Sequence, residues 1–252
     1  MLFGGKNELI NKSYHKKEKG MQNTGYSYPE ETVVSSFMYK VYGWMSFALA
    51  VTASVAYYLF KSQNLFFYLY TNPMMLFGII ILQFALVIAL AFFLMRMSFT
   101  VALSAFVVYA ATMGITTASI FFVYTQSSIF ATFGVTAGMF AFMSLYGYFT
   151  KADLTAIGNI AFMGLIGIVI AMIVNMFLRS AAFDYFISAV GVLVFTALTA
   201  YDTQKIKQIA SRLVVDSQTK GKIAIYGALT LYLDFINLFL FLLRFMGNRR
   251  ES

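Results

Sequence analysis

The chain contains no cysteine. Disulfides, thiol nucleophiles and cysteine-held zinc or iron–sulfur centres are therefore excluded. The single histidine, His15, stands beside Lys16 and Lys17 in a polar N-terminal stretch. It reads as a solvated tail residue, and no histidine-based metal site or proton relay is expected. Proline occurs only twice, at Pro29 and Pro73. Charge is scarce as well: Asp, Glu, Lys and Arg make up 11 % of the residues, against about 25 % in ordinary soluble domains. What fills the chain instead is apolar, 60 % of 252 residues, with a mean hydropathy of +0.76. A soluble globule of this size cannot hide that much apolar surface. The composition excludes a soluble enzyme, a disordered chain and a nucleic-acid-binding domain, and it requires a polytopic membrane protein.

One membrane-crossing helix needs about 20 apolar residues. Seven such runs follow the polar start, at about 37–60, 73–95, 99–123, 129–149, 154–178, 183–201 (continuing to near 209) and 223–246. Pro73 suits a first helical turn, where its missing N–H is no loss. The runs are continuous rather than alternating, which disfavours a β-barrel. Short linkers make neighbouring helices antiparallel. The expected fold is an all-α membrane protein, a seven-transmembrane-helix bundle. A polar cytoplasmic tail over 1–31 precedes the transmembrane domain at 32–248, and a short tail covers 249–252. The first 31 residues lack the apolar core and small-residue cleavage site of a signal peptide.

The net charge of +8 is read as a topology signal. With the N-terminus inside, thirteen Lys and Arg fall on the inner side and five on the outer, which supports a cytoplasmic N-terminus. Seven spans then place the C-terminus outside. The Arg249–Arg250 pair pulls the other way, and an even span count with a re-entrant last segment stays open. Small residues cluster within the spans, at Gly134 and Gly138, at Gly164 and Gly167, and at Ala110, Ala111 and Gly114. These positions allow close helix contact. They are read as internal packing rather than a dimer interface.

Two carboxylates fall deep inside apolar runs. Asp202 sits in Thr-Ala-Tyr-Asp-Thr-Gln-Lys, residues 199–205, and Asp234 in Leu-Tyr-Leu-Asp-Phe-Ile-Asn, residues 231–237. Intramembrane carboxylates are costly and are functional candidates by default. Asp234 lies about 16 Å along its helix from Ile223, near the bilayer midplane, and Asp202 about 10 Å from the inner end of its own. Spans 6 and 7 are antiparallel neighbours, so the two aspartates are expected to face each other. Unit charges about 4 Å apart at an effective dielectric near 20 repel by about 4 kcal/mol. The pair is therefore expected to share a proton and titrate as a unit. Lys205, at i+3, offers Asp202 a surface partner instead. Asn237 shares the face of Asp234. Arg96, ending span 2, either latches onto Asp202 or snorkels to the interface; spacing alone leaves both open. Asp153, Asp184 and Arg244 read as boundary charges.

At these residues the chain resembles the Bax inhibitor-1 (transmembrane Bax inhibitor motif-containing) family, in its bacterial branch. The resemblance covers roughly residues 33–247. It is carried by Phe195–Ile206, Leu231–Phe239, Met143–Leu154 and Gly191–Phe195. It implies a bundle with the last helix central, wrapped by the other six, and a pH-sensitive calcium leak. It implies that Asp202 and Asp234 are the family's di-aspartyl sensor and ion pathway and that Arg96 is the latch. Gln83 stands where some relatives carry a carboxylate, and the segment between spans 6 and 7 is somewhat longer than in compact relatives. The resemblance further implies a bacterial inner membrane location and other membrane proteins as partners, in protease modulation or in stress and cell-death suppression.

No enzymatic activity and no resident cofactor are expected. Calcium enters as a transported or transiently bound ion. Ca²⁺ takes 6–8 oxygens and two carboxylates offer at most four. Water, backbone carbonyls and Asn237 would supply the rest, with Gln83 and Lys205 as further auxiliary groups, so the site is weak. An intramembrane aspartyl protease is disfavoured, because the Gly-x-Gly-Asp and Pro-Ala-Leu segments of those enzymes are missing. A retinal protein is excluded, since no lysine lies deep in span 7. A regulator of other membrane proteins without conduction of its own is the alternative.

Overall fold

The computed structural model describes residues 30–212 and 216–250, with side chains from Thr32 onward. The expected tail therefore lies outside the described residues up to position 29, as does part of the linker between spans 6 and 7, and the first helix starts at Glu30 rather than after 31. The helices are α1 (Glu30–Lys61), α2 (Gln63–Tyr70), α3 (Pro73–Phe92), α4 (Phe99–Thr117), α5 (Ile120–Val123), α6 (Gln126–Phe149), α7 (Thr155–Leu178), α8 (Ala181–Ser211) and α9 (Ser217–Met246). A 3₁₀ turn over Leu94–Arg96 follows α3. Seven helices, with α4 and α5 taken as one, are long and apolar enough to cross a membrane. The chain is a membrane helical bundle.

Local chemistry sets the ends. Pro73 opens α3 in its first turn. Ser98, Thr125, Ser180 and Asp216 each accept a backbone N–H at the start of α4, α6, α8 and α9, satisfying donors that a helix N-terminus leaves free. α7 ends at Arg179, which takes the left-handed conformation with φ 51° while its N–H bonds to Asn175 O. Ser180 N then donates to Asn175 Oδ1 at 3.1 Å, which stops the chain cleanly before α8.

The last helix resolves the open topology. α9 is 30 residues of unbroken helix, so it crosses rather than re-enters. The residues after it pair with the α5–α6 link: Arg250 N donates to Val123 O at 2.9 Å and Thr125 N to Asn248 O at 3.1 Å. Residues 248–250 thus lie at the end of the bundle that carries the span 3–4 connection, opposite the start of α1, as seven spans demand. α9 is also the most buried span, with 72 % of its apolar window covered against 39 % for the next, and it packs on α1, α4, α6 and α8. α3 and α7 are the reverse, covered over only 6 % and 11 %. Their exposed faces carry Phe77, Phe84, Ile160 and Phe162, which water would not tolerate but lipid solvates.

The small residues divide. Gly147 lies directly on the Ala200 carbonyl and Gly158 on the Tyr201 ring. A side chain at Gly191 would stand 2.6 Å from the Phe241 ring, and one at Gly114 2.6 Å from Thr52 O. Gly164 packs on Val194. Gly134, Gly138 and Gly167 have no neighbour within 4 Å, which corrects the reading of those three as internal packing positions. They lie on outer faces of their helices.

Candidate functional site

Asp202 and Asp234 meet. They project from antiparallel neighbours, α8 and α9, and their carboxyls stand within hydrogen-bonding reach of each other. Asp234 is 4 % exposed and sits on the most buried helix of the bundle; among the described residues its Oδ2 meets no donor other than a proton shared with Asp202. An enclosed carboxyl costs free energy unless it is paired or protonated. Asp202, one helix away, is half-buried. The pair therefore presents one enclosed and one more accessible carboxyl to the same point.

Among the other sequence candidates, Lys205 stands close enough for its charge to act on Asp202. It is exposed, with its ammonium 5.5 Å from the Tyr201 ring centroid, and makes no direct ion pair with Asp202. Arg96 is exposed and lies 5.8 Å from the Phe93 centroid. It makes no ion pair with Asp202 in this conformation. Gln83 donates to Thr116 Oγ1 at 3.1 Å, tying α3 to α4 at a point removed from the pair. Asn237 turns its amide back onto Leu233 O at 2.8 Å. Among the boundary charges, Arg244 and Asp184 approach to 3.8 Å, the one ion pair among the described residues. Asp153 accepts Thr155 N and Thr155 Oγ1, which hold its carboxyl below the usual range. No group of three or more acidic or histidine side chains that could hold a metal occurs among the described residues.

Residues 34–251 match the family model described as inhibitor of apoptosis-promoting Bax1. The chain belongs to the Bax inhibitor-1 family. It is 51 % identical to the inner membrane protein YbhL of Escherichia coli over 218 residues, 86 % of this chain and 93 % of that protein. It is 46 % identical to an uncharacterised protein of Borreliella burgdorferi over 88 % of this chain and 96 % of the relative. It is 42 % identical to the Rickettsia prowazekii protein RP147 over 85 % and 90 %.

In this member of the Bax inhibitor-1 family, three residues just beyond Asp202 pin its helix. Sequence reasoning passed them over. Thr203 Oγ1 donates to Ser144 Oγ at 3.4 Å. The Gln204 amide grips the α6–α7 link from both sides: its Oε1 accepts Leu154 N at 2.9 Å and its Nε2 donates to Ala152 O at 2.8 Å. Lys207 Nζ donates to Tyr148 O at 2.6 Å, satisfying a carbonyl at the end of α6. The signal for them was available: a polar Thr-Gln step directly after Asp202, inside an otherwise apolar span.

Proposed function

We propose that this protein is a pH-sensitive leak for calcium across the bacterial inner membrane, gated by the Asp202–Asp234 pair. The observation that carries the reading is the contact between two carboxyls on adjacent spans, one of them enclosed within the bundle. Two ionised carboxylates hold only acceptors, so a hydrogen bond between them requires one proton. With that proton the pair is joined and α8 and α9 are tied. Without it, the carboxylates repel by about 4 kcal/mol at 4 Å and an effective dielectric of 20. The ionised pair separates or takes up a cation. Two carboxylates cannot fill the 6–8 oxygen shell of Ca²⁺, so water completes it. Such a site holds the ion briefly, as conduction requires. No catalytic step is part of this reading. The Escherichia coli relative is named as an inner membrane protein, which supports that location here, and the Lys and Arg bias supports a cytoplasmic N-terminus.

The test is calcium flux into liposomes that hold the full chain, stepped between about pH 6 and 8. Flux is expected to change steeply with pH in the wild type and to collapse in Asp234→Asn. Wild-type flux in that variant sinks the proposal. A regulator that binds other membrane proteins is the second reading, favoured by the unfilled Gly134 and Gly138 face of α6, where a partner helix could approach closely. Partners that co-purify equally with wild type, Asp202→Asn and Asp234→Asn, together with absent flux, favour it.

A further inference from the structure

A groove of about 1050 Å³ runs between α1 and α6 and is backed by the end of α8. Its lining changes character along its length. Towards the middle of the bundle the walls are Met45, Phe140 and Ala141. At the other end, where α1 begins and α8 finishes, they are Thr32, Lys207 and Ser211. From Thr32 to Met45 the α1 axis rises about 20 Å at 1.5 Å per residue. One leaflet contributes about 15 Å of hydrocarbon, half of a core about 30 Å thick. The groove therefore follows one leaflet through its hydrocarbon and into its headgroup layer, apolar where the leaflet is apolar and polar where it is polar.

The groove opens sideways. Tyr39 and Phe149 at its rim are 78 % and 70 % exposed, on faces that meet the bilayer. Its occupant therefore enters from lipid. The charge at the polar end is positive. The half-buried Lys207 is held there by the Tyr148 carbonyl and by the Tyr148 ring, whose centroid is 4.7 Å from Nζ. An ammonium has three donors, and the carbonyl uses one. A second cavity of about 290 Å³ shares Thr32 and adds Lys40 and Lys220. Basic pockets between transmembrane helices suit phospholipid head groups.

We propose that the groove holds one anionic phospholipid, with its phosphate on Lys207 and its acyl chains along Met45, Phe140 and Ala141. The groove wall is also tied to the helix of the candidate site, because Ser144 accepts the hydroxyl of Thr203, the residue after Asp202.

The full chain is reconstituted into bilayers of equal phosphatidylglycerol and phosphatidylethanolamine, extracted gently, and the retained lipid identified by native mass spectrometry. The wild type is expected to retain phosphatidylglycerol in preference. Lys207→Gln keeps a donor for the Tyr148 carbonyl but loses the charge, and is expected to lower that preference about fivefold. Ala141→Trp fills the apolar end from an exposed position and is expected to lower retention of both lipids while the protein stays monodisperse. No enrichment in the wild type overturns the proposal. Equal retention in all three proteins does so too, whether a segment of the chain or a partner protein fills the groove.

Discussion

The Tyr232 hydroxyl lies 2.7 Å from Thr52 Oγ1, two residues along α9 from Asp234, at a point closed to solvent. Thr52 Oγ1 also stands 3.0 Å from Ala48 O and 2.9 Å from Ala110 O, so one hydroxyl pair ties α1, α4 and α9 together. The Tyr232 ring meets Phe106 and Tyr109 edge-on at 5.9 and 5.8 Å. Tyr232→Phe keeps those ring contacts and removes only the hydroxyl. Thr52 can still donate to a carbonyl, so nothing charged is stranded. The variant is expected to lose about 1 kcal/mol, read as an earlier thermal unfolding in detergent. A loss of several kcal/mol would mean that the hydroxyl holds more than this triangle.

Asp234 is enclosed and faces another carboxyl. An ionisable group taken out of water weakens a fold unless an opposite charge or several hydrogen bonds compensate it. Asp234→Leu is expected to raise the unfolding temperature and to abolish calcium flux. The two readouts moving in opposite directions distinguish a functional carboxyl, kept at a cost, from a structural one. A variant that is both less stable and inactive assigns Asp234 to the fold.

The seven spans were legible because length and hydropathy alone determine what can cross a bilayer. The Asp202–Asp234 contact was legible because carboxylates are so rare in such runs and because short linkers force antiparallel neighbours. The direction of each side chain was not. In a soluble helix the apolar face points inward. In α6 the outer face is apolar while the buried face carries Thr132, Thr136 and Ser144, and a glycine has neither character: exposed Gly138 reads the same as Gly147, pressed against Ala200. Arg96 stands just beyond α3, on a 3₁₀ turn, where a long side chain can take several directions; here it lies over Phe93, the interfacial arrangement that spacing left open beside the latch. Gln204 and Lys207 were missed because their partners are main-chain atoms of the α6 end and the α6–α7 link, which no pattern of residue types records.

The start of α9 depends on one carboxylate outside the membrane. Asp216 accepts Thr219 N at 3.0 Å and the Thr219 hydroxyl at 2.7 Å, and these bonds hold its carboxyl below the usual range. A group whose folded value is depressed stabilises above its unfolded value, and that contribution is lost as pH falls through the folded one. Amide exchange at Thr219 and Lys220, corrected for intrinsic rates, is therefore expected to accelerate as pH drops below the ordinary carboxylate range. Asp216→Asn keeps an acceptor without a charge and is expected to flatten that dependence. An unchanged pH profile in the variant removes Asp216 as its source.

The glycines of α6 provide a contrast within one helix. A Cβ at Gly147 would run into the Ala200 carbonyl, main chain on a helix that is itself clamped by Gln204 and Lys207. Neither helix can give way without releasing the α6–α7 link. Gly147→Ala is expected to cost about 1–3 kcal/mol through overpacking and to lower calcium flux, since α8 carries Asp202. Gly134 and Gly138 have nothing within 4 Å, so alanine there meets no obstacle. It removes the backbone freedom of glycine and is expected to stabilise the helix by up to about 1 kcal/mol. Thermal unfolding of the three single variants checks the sign. Destabilisation by Gly138→Ala, in a chain purified alone, would show that this face is covered in solution by a second copy, and a smaller particle by light scattering would identify that loss.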